Sequence, residues 1–442
     1  MPLPVVILHG WSDSEVSFRP LAEFLRSAGR SVMPIYLGNY VTLEDSLTIQ
    51  DLAKAFVRAL ADAGIPTSNH SFDLVVHSTG TLVAREWLTR YYLEPGLPCP
   101  VAHFLMLAPA NFGSPLAHKG RTMFGRLVKG WKSGFETGTQ ILKALEMASP
   151  YSWSLAERDL FGTRSYYKPD ECMVAVLVGN QPYREWPQSM VNERGSDGTV
   201  YVASANLNAN RITITLGRKT DRPLVDRARP AFAPVAFAVI GGRDHTDITR
   251  PAPGEPLGDM MLRFLALESD ASYRTYSEDC ARITGATLPP EPLRDLPDEA
   301  HRYQNVVVKV RDDLGFSVPD YFLEFYESSP RSNEVMARVQ REVLEKVHPY
   351  NDDESYRSLI FDLTDLDRVL ADGTRLLFSV SAASVGSLVE YSAGKRNDVG
   401  ALEVPVNGDA LRFWRPNETM LTEVIIERVQ KPKVFRVRPY RR

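Results

Sequence analysis

Three segments of this 442-residue chain carry side chains whose types and spacing suit nucleophilic catalysis. The first is Val76-His77-Ser78-Thr79-Gly80, where the apolar run Phe72 to Val76 ends at a serine and the helix-forming run Thr81 to Leu88 starts at once. A serine on a sharp strand-to-helix turn has its hydroxyl exposed and the next backbone N–H directed at the developing oxyanion, and such a turn needs small neighbours. The second segment, Gly241 to Asp247, follows the apolar run Ala236 to Ile240 and holds His245. A serine hydroxyl is a poor nucleophile until an imidazole accepts its proton, and the same imidazole later protonates the leaving group. The other histidines suit that task less well: His70 precedes its strand, His103 lies inside one, His118 falls in an insertion, and His301 and His348 lie in the last third of the chain. His77 adjoins the serine but is expected to point elsewhere by strand alternation. The third segment, Ser196-Asp197-Gly198-Thr199-Val200, offers a carboxylate to orient the imidazole. An aspartate before a glycine is also an ordinary turn, and Asp221 and Asp226 follow as alternatives.

The segment around Ser78 resembles the nucleophile elbow of α/β-hydrolase lipases, G-x-S-x-G, matching it at Ser78 and Gly80 and carrying Val76 where the first glycine stands. His9-Gly10-Trp11, directly after the first apolar run, is similar to the oxyanion turn of the same family. The resemblance implies backbone donors at Trp11 and Thr79, with His9 and Gly10 at the substrate. It also favours Asp197, because an Asp-Gly-x-Val segment bears the acid in many bacterial lipases, and the order Ser78, Asp197, His245 is the one this family uses. Asn111-Phe112-Gly113-Ser114-Pro115 and Pro150-Tyr151-Ser152-Trp153 resemble segments of lipases and inositol-deacylase-like hydrolases, which implies that Phe112 lines the site mouth. The likeness spans about residues 3–268. It implies a serine carboxylic-ester hydrolase, a lipase or phospholipase, that works through an acyl-serine intermediate without a cofactor.

Positioning these groups requires a particular set of elements. Apolar runs at 5–8, 31–37, 72–76, 101–108, 173–178 and 234–240 alternate with helical patterns, as in a mostly parallel sheet buried on both faces. The fold class expected is α/β, an α/β-hydrolase domain over residues 1–270 with a helical cap inserted at about 115–170. In that insertion Phe124, Leu127, Val128 and Trp131 form one helical stripe, and Phe124 and Trp131 would face acyl chains if the stripe belongs to a lid rather than to the core. The Pro-rich run Leu288 to Pro292 suggests a linker over 271–300. Residues 301–442 read as a β-rich domain of sandwich type, interrupted by one helix over 334–347.

Composition narrows the function further. With 51 basic and 55 acidic side chains and a net charge of −4, no nucleic-acid partner is expected. The expected partners are an ester or lipid substrate and a peripheral membrane or protein contact through the cap or the C-terminal domain. No metal set is expected, for there is no HExxH, Cys/His cluster or calcium loop, and neither a P-loop nor a dinucleotide fingerprint occurs. Three scattered cysteines and a start without a basic n-region or long apolar core suggest a reduced, cytoplasmic setting, with leaderless export as the alternative. A rival reading makes the hydrolase domain a silent binding scaffold and the β domain an interaction module, with Val76 as its support.

Overall fold

Apolar runs without alternation suit strands covered on both faces, and the first half of the chain uses them that way. The structure is a computed structural model that describes residues 2–9, 15–35, 45–117, 138–184, 189, 192–216, 224–289, 296–327, 333–370, 376–382, 389–391, 404–405 and 413–430. Up to residue 240 its strands are β1 (Val5–Leu8), β2 (Val32–Ile35), β3 (Phe72–His77), β4 (Val101–Leu107), β5 (Met173–Gly179), β6 (Ala209–Leu216), β7 (Leu224–Arg227) and β8 (Ala236–Ile240). Six of them form one sheet in the order β2-β1-β3-β4-β5-β8, with every pair parallel. β1, β3 and β5 are buried throughout.

Helices fill the crossovers. The helix α1 spans Glu15–Ser27, α2 spans Ile49–Asp62 and α3 spans Gly80–Leu88. A capping box between Thr48 and Asp51 starts α2, whose buried stripe is Ile49, Leu52, Ala53, Phe56, Ala59 and Leu60. The Phe56 ring meets the edge of Trp87 on α3 at 5.0 Å, which joins the two helices. Because β2 and β3 flank β1 on opposite sides, the strand order reverses at β1 and β3. A crevice opens at the carboxyl ends of strands at such a reversal, and these ends lead into His9 and Ser78.

In the described part of the insertion lie α4 (Thr139–Leu145) and α5 (Pro150–Asp159), while the stripe of Phe124 and Trp131 lies outside the described residues. After β8 come α6 (Pro256–Phe264) and α7 (Asp270–Thr287). α7 occupies most of the stretch expected as a linker, and it covers the edge strand β8. Tyr273 Oη donates to Val174 O (2.7 Å) and accepts from Ala236 N (3.0 Å), and Thr284 Oγ1 accepts from Val239 N (3.0 Å). No described helix is long and apolar enough to cross a membrane.

The chain divides into two compact units, residues 1–209, 229–303 and 417–419 in one and 210–228, 304–416 and 420–442 in the other. Against the boundaries expected at 270 and 301, the first unit runs on to Tyr303, and residues 210–228 leave it. The second unit is β-rich. Its strands β9 (Tyr303–Asp312), β10 (Tyr321–Glu327), β11 (Leu344–Pro349), β12 (Tyr356–Asp362), β13 (Leu376–Ala382), β14 (Val389–Tyr391), β15 (Val404–Pro405), β16 (Thr419–Ile426) and β17 (Arg428–Gln430) join β6 and β7. They form sheets β11-β12-β9-β16-β6-β7, β10-β13-β15 and β14-β17. One apolar core with Ile214, Val308, Phe325, Phe361, Phe378 and Val424 serves the two larger sheets, as in a sandwich. The helix expected over 334–347 is shorter. It ends as α8 (Asn333–Arg338) plus a π-turn to Val343, and residues 344–349 pair with β12 instead, a tertiary pairing that overrides helical periodicity.

Val76 is fully buried in β3, in register with Leu8 of β1 and Met106 of β4. Replacing it with the glycine of the G-x-S-x-G pattern removes a packed side chain and adds backbone freedom, so Val76→Gly is expected to cost about 3 kcal/mol. Denaturant unfolding of the two proteins measures it, and equal midpoints would show that the site has no need of the valine.

Candidate functional site

The turn at the end of β3 holds Ser78 at φ +54°, a left-handed conformation that a residue with a Cβ adopts only under constraint. The constraints are visible. Ser78 N–H donates to Leu107 O of β4 (3.1 Å), and Ser78 O accepts from Thr81 N (3.1 Å) inside α3. Gly80 brings that helix against β1 so closely that a Cβ there would stand 2.8 Å from Leu8 O and 3.0 Å from His9 O. Thr79 follows the serine at the N-terminus of α3, where backbone N–H groups and the helix dipole favour negative charge.

His245 is supplied by the loop after β8. Its Nε2 lies 3.1 Å from Ser78 Oγ and its Nδ1 lies 2.9 Å from Asp197 Oδ2. A carboxylate beside Nδ1 requires hydrogen on that nitrogen, which leaves Nε2 as the acceptor facing the hydroxyl. Asp197 is fully buried, and its Oδ1 accepts from Thr199 N (2.9 Å) and Val200 N (2.8 Å). The His245 N–H also donates to Asp197 O (3.0 Å), so backbone and side chain register the two loops together. The loop of His245 is anchored at β5, where Gln181 N donates to Arg243 O (3.0 Å) and Gly179 leaves room for that carbonyl; a Cβ on Gly179 would lie 1.9 Å from it. Asp244 Oδ1 closes the turn by accepting from Thr246 N and Asp247 N, both at 2.8 Å, while burial pushes its carboxyl above the ordinary range.

The structure thus brings Ser78, Asp197, His245 and Thr79 together. His9 is buried beside them, its ring stacked on Phe18 at 5.4 Å. Phe112 is buried within the loop after β4, its ring centroid 6.0 Å from the Arg85 guanidinium carbon. Gly10, Trp11, Phe124, Trp131 and Asp221 lie outside the described residues, and Asp226 is exposed on β7 in the second unit's sheet. His103 pairs with Asp73 (2.7 Å) and Leu267 O (2.9 Å).

Two features escaped the sequence reading. His77 does not point away: it is buried, its Nε2 is 3.0 Å from His245 O, and its ring centroid is 4.6 Å from that of His245. Alternation holds within a strand, but β3 ends at His77 and the left-handed turn at Ser78 resets the direction of the next side chain. Arg85 on α3 is the second. It is fully buried, forks onto Asp159 (2.8 and 2.9 Å) and reaches Asn111 O and Oδ1 (3.2 and 3.1 Å), while Asn111 Nδ2 donates to Ala205 O (2.8 Å). This network ties the elbow helix to the loop after β4 and to the helical turn that follows Asp197. Its signal was in the sequence, since a cation inside the apolar run Thr81 to Leu88 must be paired if that helix is buried. The Gly-Ser-Pro segment joins in through Ser114 Oγ, which donates to Thr199 O (2.5 Å).

No family model and no curated protein sequence matches the chain. Solved structures do. Phospholipase PlaB from Legionella pneumophila, solved also in complex with thio-NAD, is 24% identical, with 99% of this chain and 96% of that chain covered and a TM-score of 0.82. The mature lipase BlEst2 of Bacillus licheniformis is 16% identical over 60% of this chain and 93% of its own, at a TM-score of 0.40. The fold is that of the α/β-hydrolases. In this fold the strained serine turn after β3 and the histidine loop after β8 lie at one end of the six-stranded parallel sheet.

Gly179→Ala would drive a methyl group into a backbone carbonyl, and it is expected to lower stability by about 1–3 kcal/mol. Gly285, on α7 with open space around it, should respond the other way, with Gly285→Ala gaining about 0.4–1 kcal/mol. Urea unfolding of both variants checks the contrast. A neutral Gly179→Ala would mean that the Arg243 carbonyl has freedom to move.

Proposed function

We propose that this chain is a serine carboxylic-ester hydrolase with phospholipids or related lipid esters as its substrates. The observation that carries the reading is the relay from the buried Asp197 carboxylate through His245 to Ser78 Oγ, 2.9 and 3.1 Å long, ending at a serine held in a left-handed turn. In this reading His245 Nε2 takes the hydroxyl proton as Ser78 Oγ attacks the ester carbonyl carbon. The carbonyl oxygen becomes an oxyanion, which the N–H groups of Thr79 and Trp11 receive. Collapse of that intermediate breaks the bond to the leaving alcohol, which is protonated by the His245 imidazolium, and leaves Ser78 acylated. Water then enters by the same general-base path and releases the acid. Asp197 holds Nδ1–H throughout and stabilises the imidazolium. No step calls on a cofactor.

The substrate class draws on two further supports. A similar structure spanning nearly all of this chain is a phospholipase, and the sequence of the insertion spaces Phe124 and Trp131 on one helical stripe, which this reading takes as lid rather than core.

Ser78→Ala is expected to remove about a millionfold of the turnover of a short p-nitrophenyl ester, and His245→Ala a comparable factor; Asp197→Asn, which disturbs the tautomer, should cost about ten-thousandfold. Initial rates, with fluorophosphonate labelling of Ser78 in wild type and His245→Ala, measure this. Wild-type hydrolysis by Ser78→Ala would end the proposal. For the substrate class, rates on dispersed phospholipid are compared with rates on soluble short esters, and the reading expects the dispersed lipid to be preferred. A strict preference for soluble esters would replace lipase with esterase.

A further inference from the structure

His77 takes no part in the acyl-transfer steps described above, yet it is the residue immediately before the nucleophile and is 4% exposed. Its Nε2 lies 3.0 Å from the backbone carbonyl oxygen of His245. A carbonyl oxygen only accepts, so Nε2 carries the hydrogen and donates it. The two imidazoles also meet at 4.6 Å, tilted by 47°, and Phe18 packs on His77 at 5.4 Å, itself stacked on His9. The ring thus contacts both α1 and the histidine loop.

Two sets of contacts bear on the position of His245. Its N–H and Nδ1 are both engaged by Asp197, which fixes the ring's tautomer and the side of the loop that faces residues 197–200. The bond from His77 Nε2 restrains the same residue at its carbonyl oxygen, from the strand that leads directly into Ser78. One residue of β3 therefore holds the backbone of His245 while the next presents the hydroxyl that its side chain must reach at 3.1 Å. Proton transfer in the attack depends on that separation, and a misplacement of about 1 Å costs on the order of a hundredfold in rate.

We infer that His77 is a positioning residue for His245: its Nε2–H···O=C bond and ring contact set the distance between the histidine loop and the nucleophile. The role rests on the serine-hydrolase reading above. It is a matter of geometry at one atom, so the substitutions can separate it from packing. A glutamine places its amide nitrogen near the Nε2 position of the histidine it replaces, whereas an asparagine reaches only as far as Nδ1, and phenylalanine keeps the ring and removes the donor.

The experiment measures kcat, KM and thermal midpoint for wild type, Ser78→Ala, His77→Gln, His77→Asn and His77→Phe on one soluble p-nitrophenyl ester. The expected result is a fall in kcat of about 10- to 100-fold for His77→Phe and His77→Asn with KM within twofold of wild type, and recovery to within threefold for His77→Gln. Wild-type kcat in His77→Phe overturns the proposal, and so does a His77→Gln variant as impaired as His77→Asn at an equal thermal midpoint. Should His77→Phe not fold, the glutamine and asparagine variants decide between them, because both keep an amide and differ only in reach. Turnover by wild type that survives in Ser78→Ala overturns the serine-hydrolase reading and the role of His77 with it. Turnover that needs Ser78 but ignores all three His77 variants overturns the positioning role alone.

Discussion

The left-handed turn at Ser78 is the constraint around which the rest of the first unit is arranged. A residue with a Cβ loses about 1–2 kcal/mol in that conformation, so it persists only where the surroundings leave the backbone no alternative. Three contacts supply that: the hydrogen bond from Ser78 N to β4, the immediate start of α3, and the close approach of Gly80 to the carbonyls of Leu8 and His9. Each involves an element that is buried on its own account. The strain is held by the core rather than by the loop, and the hydroxyl is delivered to a fixed point at the strand-order reversal.

A second requirement follows from burying charge near that point. The Asp197 carboxylate has no solvent contact, and it is satisfied by two turn amides on one oxygen and an imidazole on the other. Turn amides are rigid donors, so the oxygen facing His245 has little freedom to swing. The Arg85–Asp159 pair deals with a buried cation in the same manner, through a bidentate fork and two further bonds to Asn111, and it does so beneath the loop that carries Phe112. Breaking either network from one side would leave a charge without a partner in a dry interior, a larger loss than the network's net gain.

Much of this arrangement was legible in the sequence because it depends on local patterns. Unbroken apolar runs announced a doubly covered parallel sheet, and the strand-serine-helix junction announced the turn, even with Val76 in place of a glycine, since a strand interior accepts a buried valine more readily than it does a glycine. The order of Ser78, Asp197 and His245 along the chain was likewise readable, although their meeting is a matter of loop closure over separations of 167 and 48 residues. What stayed hidden was contact between elements. Nothing local marks His77 as a neighbour of His245, or Arg85 as the partner of Asp159, 74 residues away. The helix expected over 334–347 shows the same limit, because Leu344 to Pro349 is strand only by virtue of its pairing with Tyr356–Asp362.

The division into units carries the argument one step further. β6 and β7 belong to the second unit's sheet, where β6 places Ile212 and Ile214 in the apolar core with β9, β12 and β16. In sequence these strands fall between Asp197 and His245, so the chain leaves the first unit after delivering the carboxylate and returns to it before delivering the imidazole. The two sides of the relay are therefore joined covalently through a strand pair whose own stability comes from the second unit's core. The boundaries of the β-rich unit follow from packing, because composition changes only after the excursion has ended.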